Sequence, residues 1–229
     1  MFDAVRKKML LQYATLPCSK KGPGGEEQCT DTKQMESADH GETWTEPASV
    51  CGTAVGKIPP AACGGAVGPG VGIQLQHPAK APGRILWIGH YGAQTSFSDS
   101  HALIPTHCLT LSVPLSYSTG AYGHDTVWYS DDGGATFEVS MPPLEHMDEA
   151  QLVELPNGDV LANMRSAHFN KTCDCRAVAT STDGGKTFGP IEWVPELISP
   201  VCMGSVLKGP GGAVYFANPA NKTSRTFSG

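Results

Sequence analysis

The chain has 229 residues, with Lys+Arg 16 against Asp+Glu 22 and a formal charge of −6. It is long enough for one large domain or two small ones, has no basic run suited to nucleic acid or an anionic membrane, and has no apolar stretch near the roughly 18–20 residues of a membrane span. Gly 27 and Pro 18 exceed the average usage of roughly 7% and 5% without low-complexity runs, so many turns between short strands are expected.

The N-terminus, MFDAVRKKMLLQYATL, contains no secretory apolar region, because Arg6, Lys7 and Lys8 interrupt it. The composition points the other way. Eight cysteines (Cys18, Cys29, Cys51, Cys63, Cys108, Cys173, Cys175 and Cys202) and two sequons, at Asn170 and Asn221, suit an oxidising compartment. A secretory-pathway protein whose front is missing is the expectation. Met9–Tyr13 reads as the first strand. Cys18 and Cys29 then flank a Lys/Gly-rich loop and are candidates for a bridge, although sequence does not fix pairings.

A repeat follows. Ser37–Trp44 (SADHGETW), Ser130–Phe137 (SDDGGATF) and Ser181–Phe188 (STDGGKTF) share S-x-D-x-G-x-T-aromatic. In such a loop the Asp carboxylate accepts backbone N–H bonds, the Gly takes a position a Cβ would obstruct, and the Thr and aromatic re-enter a strand. Ser37 and Ser130 lie 93 residues apart and Ser130 and Ser181 lie 51 apart. The period is therefore about 47–51 residues, the size of a four-stranded propeller blade, with one unmarked copy expected between the first two boxes. Strand-like runs at Arg84–Ile88, Val127–Tyr129 and Ala213–Phe216, and the absence of 3.6-residue periodicity, agree with an all-β propeller.

The most informative stretch runs from Asp148 to Arg165. Asn157-Gly158 between two alternating runs predicts a hairpin, which brings Glu149 and Arg165 to its open end. A strict two-residue turn would leave them one position out of register, on opposite faces. A joint site therefore requires a bulge or bend beside Glu149. Next comes Cys173-x-Cys175, read as a disulfide or a pair of thiols, since no second pair has metal-site spacing. Gly185-Lys186-Thr187 lacks the first glycine of a phosphate loop, with Thr180 in its place, and no G-x-S-x-G occurs to support a hydrolase triad.

The three boxes resemble the Asp boxes of sialidases and other Asp-box propellers. The Glu149–Arg165 hairpin resembles the sialidase segment that begins with a catalytic Glu and ends with an Arg of the arginine triad. Gly68–Gln74 with the following GRILWIGHYG, and Cys173–Arg176, resemble segments of animal lysosomal sialidases. Ala217–Arg225 resembles the stretch that carries the third triad arginine. The resemblance, closest to the lysosomal-type branch, implies an all-β, six-bladed propeller of the sialidase type, with about four to five blades present and residues 1–229 forming a partial catalytic propeller.

It also implies exo-α-sialidase activity, releasing terminal sialic acids from glycoproteins, oligosaccharides and gangliosides with retention. Arg165 and Arg225 would hold the substrate carboxylate through planar, bidentate bonds. Glu149 would take the proton of a Tyr nucleophile, since a phenol of pKa ≈ 10 is otherwise a poor one. Tyr91 would lie beside the sugar's glycerol tail. No cofactor and no metal are implied. Sialylated glycoconjugates are the implied partners, nucleic acid is not, and a partner like the lysosomal protective protein, a carboxypeptidase, belongs to the same branch. A lysosomal or extracellular location follows.

Three parts of the family's site have no counterpart here: an Arg-Ile-Pro arginine (Leu103-Ile104-Pro105 lacks the Arg), the acid/base Asp and the nucleophilic Tyr. The chain is thus expected to be an internal fragment, inactive by itself, poorly soluble and prone to associate through open blade edges. Two other readings stand beside it. One is a non-catalytic Asp-box propeller serving as a glycan-binding or interaction module. The other is a hydrolase of neutral glycans, which would need two carboxylates and no arginines at 165 and 225.

Overall fold

A computed structural model describes residues 1–15, 31–50, 66–92, 123–166, 173–200 and 202–225. They form antiparallel sheets, with no α-helix among the described residues. The first sheet, in the order β1-β2-β3-β4, contains β1 (Phe2–Asp3), β2 (Lys8–Thr15), β3 (Asp31–Ser37) and β4 (Ala48–Ser49). The second is built on β5 (Ala66–Val67), β7 (Ile85–Gly92), β8 (Gly123–Ser130) and β10 (Leu144–Glu145), with β6 (Ile73–Gln74) on β7 and β9 (Glu138–Val139) on β8. The third, in the order β11-β12-β13-β14, contains β11 (Met147–Glu154), β12 (Val160–Ser166), β13 (Cys175–Ser181) and β14 (Glu192–Ile198). A two-stranded sheet of β15 (Ser205–Lys208) and β16 (Val214–Ala217) follows. Four sheets in chain order, each a short antiparallel meander, make this an incomplete propeller at the low end of the expected blade count.

The second sheet shows why its strands read as continuous apolar runs. In β7, Ile85 and Trp87 pack towards the first sheet with Leu10 and Val50, whereas Leu86 and Ile88 pack towards the third with Leu152, Val160 and Met164. β8 divides in the same way, with Trp128 on one side and Val127 and Tyr129 on the other. Strands pleat with period two, so a sheet clamped between two neighbours needs apolar side chains at every position. Each such buried side chain contributes roughly 1.5–3 kcal/mol.

The boxes occupy one equivalent place in three consecutive sheets: Ser37 ends β3, Ser130 ends β8 and Ser181 ends β13. The expected unmarked copy between the first two boxes is therefore not a blade. The extra length lies in 51–65 and 93–122, outside the described residues, where Cys51, Cys63, Cys108 and Leu103-Ile104-Pro105 also fall. The Cys18–Cys29 bridge and the Asn170 sequon likewise lie outside the described residues. In each box the buried serine hydroxyl donates to the aspartate, at 2.7–2.8 Å, and accepts from the N–H of Gly41, Gly134 or Gly185. The aspartate accepts the Thr N–H in turn, at 2.9–3.0 Å. The Thr43 hydroxyl, its N–H and the Ser37 hydroxyl hold Asp39 down at about 2. Burial opposes the same effect at Asp132 and Asp183, but the box bonds outweigh it and both are lowered.

Polar cross-ties join the sheets. The Gln12 amide accepts from Trp128 Nε1 and donates to Gln34, whose own amide donates to Gly134 O. Arg84, 5% exposed, grips Asp131 with Nε and Nη2 at 2.7 and 2.8 Å, donates to Gly184 O and stacks over Tyr129. Glu154 accepts from the N–H groups of Gln76 and His77 and from Lys208 Nζ, thereby linking three sheets.

Candidate active site

The β11–β12 hairpin does not use the expected two-residue turn. Leu155 N donates to Asp159 O, which leaves Pro156, Asn157 and Gly158 as a three-residue loop. Pro156 pre-sets the first turn position, the Asn157 side chain bonds Asp159 from both ends, and Gly158 takes φ +82°. This loop changes the register by one and brings position 149 opposite 165 from the turn side. At the open end a bulge intervenes between Asp148 and Ala150, so that Asp148 pairs with Arg165 and Ala150 with Met164. A bulge sets two residues against one. Here Asp148 and Glu149 together face Arg165.

The chemistry follows from that placement. Arg165 is 7% exposed; its Nη2 lies 3.0 Å from Asp148 Oδ2, and its Nη1 donates to Glu149 Oε2. The Glu149 N–H donates to Asp148 Oδ1 at 2.8 Å, and His90 Nε2 lies 3.4 Å from the same oxygen. Glu149 keeps a quarter of its side chain in solvent and Asp148 slightly less. A partly exposed carboxylate over a sunken guanidinium can accept a proton and can release the guanidinium to an incoming anion.

Two buried ionisable groups lie behind. Arg176, on β13 opposite Arg165, is 0% exposed. Asp125, on β8 opposite His90, is also 0% exposed, and neither of its oxygens has a hydrogen-bond partner among the described residues. Burial, reinforced by Asp148, pushes Asp125 well above the usual carboxylate range. Burial also lowers His124, which sits 6.4 Å from His146, while Glu145 opposes that shift. Among the described residues no group of three or more His, Cys, Asp or Glu side chains could hold a metal ion.

The structure thus brings together Glu149 and Arg165 of the residues singled out from sequence. Arg225 is exposed, beyond β16, and the ion pairs of Asp148 and Glu149 run to Arg165 and His90. Tyr91 stands opposite His124 in the β7–β8 ladder, but its side chain lies outside the described residues. Asp148, Asp125, His90 and Arg176 were missed. The Asp-Glu pair is the one visible signal for Asp148; His90 and Arg176 lie in the GRILWIGHYG and Cys173–Arg176 segments, but nothing local singles them or Asp125 out, since an isolated Asp, His or Arg in a strand reads as surface. Cys173 and Cys175 are joined as a disulfide, and Cys202 is a free thiol.

Antiparallel sheets in sequence, three of them turning into their outer strand through the same aspartate-centred box, define an Asp-box β-propeller. The chain belongs to the BNR repeat-like domain family, whose model matches residues 7–226. A sialidase of Micromonospora viridifaciens is 36% identical over 107 residues, which is 43% of this chain and 16% of that protein. The Hadza microbial sialidase Hz136 superposes with a TM-score of 0.64 at 21% identity, over 96% of this chain and 39% of its own. The leech intramolecular trans-sialidase does so at 0.58 and 20% identity, over 84% and 24%. A sialidase of Trypanosoma rangeli gives 0.53 at 16% identity, over 94% and 33%. The chain therefore spans well under half the length of these relatives.

Proposed function

We propose that this chain is part of an exo-α-sialidase, with Glu149 as the base and Arg165 as a holder of the sialic acid carboxylate. The observation that carries this reading is the bulge that sets Glu149 against Arg165 on one face, with the guanidinium sunken and the carboxylate partly exposed. Sialic acid carries its carboxylate on the anomeric carbon, so a planar guanidinium beside a base selects this sugar and places its reacting carbon at once. A carboxylate nucleophile would be repelled there, whereas a neutral phenol deprotonated by Glu149 would not.

Arg225 completes the carboxylate grip in this reading, and Tyr91 the wall around the glycerol tail. Glycoproteins, oligosaccharides and gangliosides are the substrates of the lysosomal-type branch that the sequence resembles. A lysosomal or extracellular location and a protective-protein-like partner belong to the same proposal. No helix among the described residues is long and apolar enough to cross a membrane. The test is hydrolysis of a fluorogenic α-sialoside by the complete natural protein. Glu149→Gln should lower kcat by roughly 10²–10⁴-fold with KM little changed. A variant as fast as the parent would refute the assignment of the base.

A further inference from the structure

Arg176 is the largest fully buried side chain among the described residues, and it has no carboxylate at ion-pair distance. Its fork is spent instead on four oxygens from three residues. Nε donates to Asn163 Oδ1 at 2.8 Å, Nη1 to Cys202 O at 2.8 Å, and Nη2 to Glu149 O at 3.3 Å and Asn163 O at 3.4 Å. The guanidinium lies 5.7 Å from the Phe216 ring. Gly204 leaves the room for this: a Cβ there would come within 2.7 Å of that ring and 3.4 Å of Arg176 Cζ.

From the start of β13, then, one side chain reaches across β12 to the bulged main chain of β11, and forward to the sheet that follows. A bulge residue lacks a ladder partner, so the Glu149 carbonyl needs a donor from elsewhere. A cation at that carbonyl is stronger than a neutral donor. Burial costs Arg176 part of its basicity, bringing it to about 10, although Asp125 and Glu149 partly offset the loss. Fully enclosed, it cannot touch substrate.

We infer that Arg176 is a positioning residue that holds the bulged Glu149 main chain and thereby fixes the base against Arg165. This rests on the sialidase reading of Glu149. A misplacement of about 1 Å can cost 10²-fold in rate, so the support is expected to act on kcat rather than on affinity.

The experiment compares Arg176→Gln, Arg176→Lys and Gly204→Ala with the parent, as the complete natural protein. Turnover of a fluorogenic α-sialoside is read together with amide hydrogen exchange at Glu149 and Ala150. The expected result for Arg176→Gln is a kcat about 100-fold lower with KM within about threefold, and exchange faster by at least about tenfold at those two amides but unchanged in β2. Arg176→Lys keeps the buried charge and should recover part of both effects. Gly204→Ala keeps every hydrogen-bonding group, so it carries the test if Arg176→Gln does not fold, with the same direction and a smaller size. A raised KM with kcat retained would overturn the inference, as would unaltered exchange at the bulge. If the parent turns over no sialoside, the sialidase reading fails, and the exchange measurement alone decides whether Arg176 holds the bulge.

Discussion

Arg165 is held by two carboxylates at once, and this defines what the site can do. An arginine so satisfied is pre-oriented, with its plane fixed before any ligand arrives. In the proposed reading a substrate carboxylate would take the place of Asp148 or Glu149; His90 Nε2 lies 3.4 Å from Asp148 Oδ1. Asp125 is the counter-case, a carboxyl with no hydrogen-bond partner among the described residues. Its pKa is raised in the folded state, so the fold binds its proton more tightly than the unfolded chain does. The stability it contributes is whole below about pH 4 and is lost as pH rises towards the folded value. Asp125→Asn should therefore raise the thermal midpoint at pH 8, by an amount matching roughly 1–3 kcal/mol, and give no gain at pH 4. Midpoints measured at the two pH values check this.

At the scale of elements, the Asp box is a self-contained hydrogen-bonded knot. Ser130 is 1% exposed, and its hydroxyl is the acceptor for the buried Gly134 N–H. Ser130→Ala strands that donor and should cost about 1–3 kcal/mol, read as a lower midpoint in chemical denaturation. The first box departs from the other two at His40, which takes φ +62° where Gly133 and Gly184 have +78° and +74°. A left-handed residue with a Cβ costs roughly 1–2 kcal/mol, so His40→Gly should stabilise the fold by about 1 kcal/mol in the same measurement.

The boxes, the strands and the Glu149–Arg165 hairpin were legible in the sequence because each rests on local chemistry: a side chain bonding its own loop, a period of two, or a turn dipeptide. The blade count between Ser37 and Ser130 was misread because a spacing does not tell a whole blade from long segments within one. Asn157-Gly158 alone reads as the full turn because the part Pro156 plays depends on register. Arg176 and Asp125 were invisible for a physical reason. Burial of a charge is decided by neighbours that are distant in sequence, as Cys202 and Phe216 are from Arg176.

Across the whole molecule, each sheet is tied to the next by a buried polar group as well as by apolar packing. Gln34 reaches the second box, Arg84 the third, and Glu154 and Gln151 reach backwards and forwards from the third sheet. Such ties fix the angle at which neighbouring blades meet, and the candidate site lies where this matters, with His90 and Asp125 from the second sheet and Asp148, Glu149, Arg165 and Arg176 from the third. A site shared between blades is positioned by the propeller and not by a loop.

The most direct test of that site is a titration of the protein with N-acetylneuraminic acid and, in parallel, with its uncharged carboxamide, followed by NMR for the parent and for Arg165→Lys. Saturable binding of the acid, at least tenfold weaker binding of the amide, and a matching loss of acid binding in Arg165→Lys are the predicted result. Equal binding of acid and amide, or acid binding that survives the substitution, would contradict a carboxylate-holding role for Arg165.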